Sequence, residues 1–196
     1  KFDDFCDKEI FIQEEVPSFY VYRQKNNVRS SVGVICCISI DNYLEGNILK
    51  HEETLTNREE KMKNYLQIVD INAEPVCLSY PDQPEINRIL EECMAERPEY
   101  DFSTVDGIQH SLWLIQDEGI ISAIQGLFEK VEYLYIADGH HRSASSALLG
   151  TEKRNSIANY TGKEGFNYFM SILFAESQIV IHEFNRTISD ISAFDI

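Results

Sequence analysis

Two short turn signals restrict the fold more than anything else in the chain. Lys25-Asn26-Asn27 lies between Phe19-Tyr20-Val21-Tyr22-Arg23 and Val32–Ile40, and Asp106-Gly107 lies between Tyr100–Thr104 and Ile108–Ile115. Aromatic and β-branched runs on either side of residues that tolerate tight turns read as β-hairpins, and hairpins are antiparallel. Amphipathic stretches follow between them. Thr56-Asn57-Arg58-Glu59 has capping-box spacing and opens a helix with Met62, Tyr65, Leu66 and Val69 as one buried stripe. A second helix starts at Asp82-Gln83-Pro84-Glu85 with Ile86, Ile89, Leu90 and Cys93 inward, and a third spans about 118–129. Further strands are expected at 75–80, 131–137, 166–175 and 178–184. One helical turn is expected at 41–45, then a loop or short extended piece over 48–54, and a helix at 143–149. Hairpins mixed with helices imply an α+β (mixed α/β) fold rather than a regular doubly wound sheet.

At 196 residues the chain suits a single α+β domain spanning 1–196, and the loosest stretch, residues 150–165, is its one boundary candidate. Starting at Lys1, it reads as a segment of a longer protein. The net charge of −16 argues against nucleic acid, whose binding depends on Lys and Arg displacing counterions. Apolar runs such as 33–40 fall far short of the ~20 residues a membrane helix requires. Five cysteines without C-x-x-C spacing are expected to be reduced core residues, which points to a cytoplasmic setting. Cys36 and Cys37 should face opposite sides of a strand.

Chemistry concentrates in Asp138-Gly139-His140-His141-Arg142, between an apolar strand and an Ala- and Ser-rich helix. A glycine corner there presents the next helix's unpaired amides, and the positive end of its dipole, to an anion. Arg142 supplies a planar fork suited to phosphate oxygens, and His140 and His141 can donate to phosphate or move a proton. The plain alternative is an Asp-Gly turn with Asp138 as helix cap and exposed histidines. Zinc is a rival reading, against which stand the adjacency of the histidines and the lack of a cysteine or third histidine at ligand spacing. His51-Glu52-Glu53, followed by Arg58, is a second candidate: a carboxylate before a helix can act as a base, or simply complement the dipole. His110, His182, Tyr20, Tyr22 and Trp113 read as structural.

The segment Ile136–Arg142 with its following helix resembles the signature turn of the ParB/sulfiredoxin-like superfamily. Arg58-(x)7-Leu66, Ile68 and Pro75-Val76-x-Leu78 resemble that superfamily's lead-in. A closer resemblance is to the domain-of-unknown-function family ten-fifteen. It is carried by Tyr20-Val21-Tyr22-Arg23-Gln24, Lys50-His51-Glu52-x-Thr54, Tyr80-Pro81-Asp82, Tyr100-Asp101-Phe102 and Asp138–Arg142. The superfamily implies a ParB/sulfiredoxin-like core with an inserted hairpin and helices, and it includes free serine kinases with a turn of this type. The implied activity is phosphate transfer from a nucleotide or pyrophosphate donor, with Mg2+, to a small hydroxyl acceptor; a non-catalytic phosphate-binding module is the alternative. Gly139, His140, His141, Arg142, Ser143 and Arg58 would hold phosphate. Asp138 would orient the acceptor or Mg2+, Glu52 would take the hydroxyl proton, and His51 and Thr54 would support it. His140 stands where sulfiredoxins carry their catalytic cysteine, so that activity is not implied.

Overall fold

The computed structural model describes residues 2–183, 185 and 187. Among them six α-helices accompany one eight-stranded mixed sheet. The helices are α1 (Phe2–Asp7), α2 (Ile40–Leu44), α3 (Thr56–Val69), α4 (Pro84–Cys93), α5 (Glu118–Phe128) and α6 (His140–Ser156). The strands are β1 (Phe19–Lys25), β2 (Ser30–Ser39), β3 (Ile48–Leu49), β4 (Val76–Tyr80), β5 (Tyr100–Ser103), β6 (Gln109–Ile115), β7 (Leu134–Asp138) and β8 (Tyr168–Ala175). Their order across the sheet is β3-β7-β4-β8-β2-β1-β6-β5.

Both hairpins form, β1 with β2 and β5 with β6. The first turn forms without positive φ at either asparagine. Instead Asn26 Oδ1 accepts from the amides of Val28 (2.9 Å) and Arg29 (2.8 Å), so the side chain completes the turn. Strand pairing then aligns one apolar row across six strands. Trp113 stands opposite Val21, Val21 opposite Val34, Val34 opposite Leu173, Leu173 opposite Leu78, and Leu78 opposite Ile136. All six are buried, and Ile86, Leu90, Ile124, Ala144 and Ala147 extend the cluster into α4, α5 and α6. At about 1.5–3 kcal/mol per fully buried aliphatic or aromatic side chain, this row is a principal reason the sheet holds its register.

Several boundaries differ from the sequence expectation. The helix expected to end at 149 runs to Ser156, so only residues 157–164 of the supposed 150–165 loop precede the 3-10 turn Gly165–Asn167. Gly150 is no stop: a Cβ there would lie 2.6 Å from Phe166 O and against Ile40, so the missing side chain admits close packing. No box closes at Thr56, because the helix cap is Leu55, without a side-chain bond, and Glu59 accepts from Thr54 Oγ1 instead. Tyr65 is exposed, whereas Lys63, paired with Glu60 and Glu152 at 2.8 and 2.7 Å, is the buried residue of α3. Residues 179–183 form no strand, and Phe184 lies outside the described residues. Helix α1 carried no periodic signal. Cys6 and Cys37 are exposed rather than core, and all five cysteines are free. No helix among the described residues is long and apolar enough to cross a membrane.

Candidate functional site

Topology brings two distant segments to one corner. β3 pairs in parallel with β7, Ile48 opposite Leu134 and Leu49 opposite Tyr135. Parallel neighbours end on the same side of a sheet, so the residues after β3, His51 and Glu52, arrive where β7 turns into α6. The hairpin inserted between Glu52 and Asp138 does not intervene, since β5 and β6 occupy the opposite edge.

Gly139 caps α6 with φ 103° and ψ 28°, a left-handed conformation that favours glycine. A Cβ there would also approach Arg142 Cζ and Val76 Cγ1 to 3.3 Å. Asp138 is therefore not the cap. The first amide of α6 with a carbonyl partner is that of Ser143, donating to Gly139 O at 3.0 Å. The amides of His140, His141 and Arg142 precede the hydrogen-bonded ladder, at the positive end of the helix dipole. A recess of about 240 Å3 opens here, lined by Glu52, Met62, Ala137, Asp138, Gly139, His140, His141 and Arg142.

Each side chain has a distinct setting. His140 is 5% exposed, and its Nε2 accepts from the His51 amide at 3.4 Å. Its Nδ1 lies 4.0 Å from Glu52 Oε2, and its ring meets that of His51 edge-on with centroids 4.4 Å apart. Burial, then the neighbouring His51, lowers its proton affinity, against the opposing pull of Glu52 and Asp138. His141 has a buried Nδ1 without a partner among the described residues. Arg142 is not free: it donates to Asp138 Oδ2 and Pro75 O and lies 3.7 Å from Glu74 Oε2. Ser143 is fully buried, its hydroxyl donating to Gly139 O and His140 O at 3.2 and 3.1 Å, so neither its hydroxyl nor its amide is open to a ligand.

The remaining candidates separate. Glu52 joins the recess, whereas Arg58 is exposed on the first turn of α3, one turn before Met62, and does not line it. Thr54 is occupied by Glu59. His51 contributes an amide and a ring edge. Sequence reasoning missed Met62, Ala137, Glu74 and Pro75. The last two reach Arg142 because β4 runs antiparallel to β7 with Cys77 opposite Asp138, a pairing that the Pro75-Val76-x-Leu78 lead-in could have suggested. Cys77 offers no thiolate here, because burial and Asp138 raise its pKa. No group of three or more His, Cys, Asp or Glu among the described residues could hold a metal ion. Glu52 and Asp138 are the two carboxylates lining the recess, oxygen donors of the kind a hard cation such as Mg2+ takes.

Over residues 1–196 the sequence matches the family described as "Protein of unknown function (DUF1015)". No curated protein and no solved structure matches the chain.

Proposed function

We propose that this chain, a member of the DUF1015 family over its whole length, is a small-molecule phosphotransferase of the free serine kinase kind, built on a ParB/sulfiredoxin-like core. One observation carries the reading: Glu52, 86 positions from Asp138 in sequence, lines the same recess as the glycine corner and the free amides of the α6 head. A base for a hydroxyl and a seat for a phosphoryl group thus share one small space. At about 240 Å3 the recess is smaller than the ~300–1,000 Å3 that encloses a drug-sized ligand, so it takes a phosphate end and a small acceptor, with any nucleoside outside.

The acceptor oxygen attacks the terminal phosphorus as the bond to the donor's leaving oxygen breaks, and Glu52 takes the hydroxyl proton. The amides of His140, His141 and Arg142 face the phosphoryl oxygens. Arg142 exchanges the Asp138 carboxylate for phosphate, which frees Asp138 for the acceptor or for Mg2+. Catalysis rests on positioning and electrostatics, without a covalent intermediate. A cytoplasmic setting belongs to the same proposal, given five free cysteines.

Incubation with ADP, ATP or pyrophosphate, Mg2+ and L-serine is expected to yield phosphoserine. No phosphorylated product with any of these donors across a panel of hydroxyl acceptors would overturn the reading. The engagement of Arg142 by Asp138, Pro75 and Glu74 favours one alternative, a non-catalytic module in which ligand binding releases Arg142 to signal. Tight binding of pyrophosphate or ADP without turnover, indifferent to Glu52→Gln, would select it.

A further inference from the structure

We propose that the His140 imidazole is a positioning group rather than a phosphate ligand: it is held as the neutral Nδ1–H tautomer and orients the Glu52 carboxylate. This inference rests on the Glu52 reading above.

The two ring nitrogens of His140 face different partners. Nε2 faces an N–H donor, the His51 amide at 3.4 Å, so it must present its lone pair. A neutral imidazole with a lone pair on Nε2 carries its proton on Nδ1. Nδ1 faces Glu52 Oε2 at 4.0 Å, within reach once the Glu52 side chain, 65% exposed, turns toward it. An imidazolium would instead set one N–H against another at His51. The groups around the ring are His51 and Glu52 from the segment after β3, Asp138 from the end of β7, and His141 from its own helix. The two histidines oppose protonation and the two carboxylates favour it. Burial adds to the opposition and is the largest influence. With 5% exposure and both ring nitrogens directed at protein groups, the His140 imidazole has nothing to offer a phosphate, which meets only the backbone amide of this residue. A solvent-exposed glutamate would otherwise sample many rotamers. A fixed donor beside it favours those aimed into the recess, as carboxylate–imidazole pairs do in other proton-transfer sites.

Nitrogen-resolved imidazole spectra of the full chain decide the tautomer without turnover. At pH 7 the expected spectrum shows His140 with protonated Nδ1 and bare Nε2, and its Nδ1 signal moves in Glu52→Gln. An Nε2–H tautomer, an imidazolium, or a signal indifferent to Glu52→Gln overturns the proposal. Turnover provides a second test, because an asparagine amide overlays Nδ1 and a glutamine amide overlays Nε2. His140→Asn should keep kcat within about tenfold of wild type. His140→Gln should lose more, toward the ~10²-fold lower bound for removing a base, with the donor KM unchanged in both. A raised donor KM with unaltered kcat would make His140 a phosphate ligand and overturn the proposal. An inactive protein with the expected tautomer and Glu52-linked shift would remove the phosphotransferase reading while keeping the pairing.

Discussion

The two ends of α6 each carry an arginine, and the two guanidinium groups are held differently. At the tail, Arg154 grips Asp41 of α2 through Nη1 and Nη2 at 2.5 and 3.0 Å and donates from Nε to Asn167 at 2.6 Å. Tyr160 lies under it, with Cζ 5.7 Å from the ring centroid. Its partners come from 113 residues upstream and 13 downstream, so the contact ties three parts of the chain together. The hydrogen bonds hold the Asp41 carboxyl below its usual pKa. At the head, Arg142 bonds to Asp138, four residues back, and to the carbonyl of Pro75, and lies near Glu74. Those carboxylates are 74% and 75% exposed, so a ligand's oxygens can replace them. A guanidinium clamped by tertiary partners is structural, whereas one held by two largely exposed carboxylates is available for exchange.

If the head is the working end, the largest effect there is on rate. Glu52→Gln should lower kcat by about 10²–10⁴-fold with little change in stability, read from phosphoserine formation and a denaturant melt. Stability effects should instead gather in the tail half. Gly150→Ala places a methyl group against Ile40 and Phe166 O and should destabilise the protein by about 1–3 kcal/mol, measured by urea unfolding. Arg154→Ala should cost about 1–2 kcal/mol in the same assay, a figure kept low because half of Asp41 faces water. Arg142→Ala should shift stability by no more than about 0.5 kcal/mol yet weaken pyrophosphate binding about tenfold. Equal losses of stability in Arg142→Ala and Arg154→Ala would erase the contrast.

The smallest effect concerns pH. Because the fold lowers the proton affinity of His140, the unfolded chain binds a proton that the folded chain refuses as pH falls below about 6.5. The contribution of His140 is therefore present above that value and is lost as pH drops toward its folded pKa. Urea midpoints at pH 7.5 and 5.5 should differ less in His140→Asn than in wild type. An unchanged pH dependence would mean His140 is not held neutral.

Much of this contrast was visible in the residues, and the parts that were not have physical causes. Asp138–Arg142 stood out because a glycine and three basic side chains in one turn are unusual in so acidic a chain. Both hairpins, the α+β class and the Pro84 helix start followed from local turn chemistry and periodicity. The partners of Arg142 could not be read locally, because Glu74 and Pro75 reach it only through the antiparallel pairing of β4 with β7. That Glu52 arrives at the corner depends on a two-residue parallel strand, too short to leave a pattern. Gly150 misled because a glycine that permits close packing looks in sequence like one that ends a helix. The burial of Ser143 followed from its place on the inner side of the first turn, where a small hydroxyl bonds back to Gly139 and His140.

The most direct test of the working head is a pyrophosphate titration of the full chain with Mg2+, followed through the backbone amide signals. Saturable shifts are expected at the amides of His140, His141 and Arg142, with the Arg154 surroundings unmoved and the response weakened in Arg142→Ala. Shifts scattered over the surface, or none at the head of α6 at millimolar pyrophosphate, would contradict it.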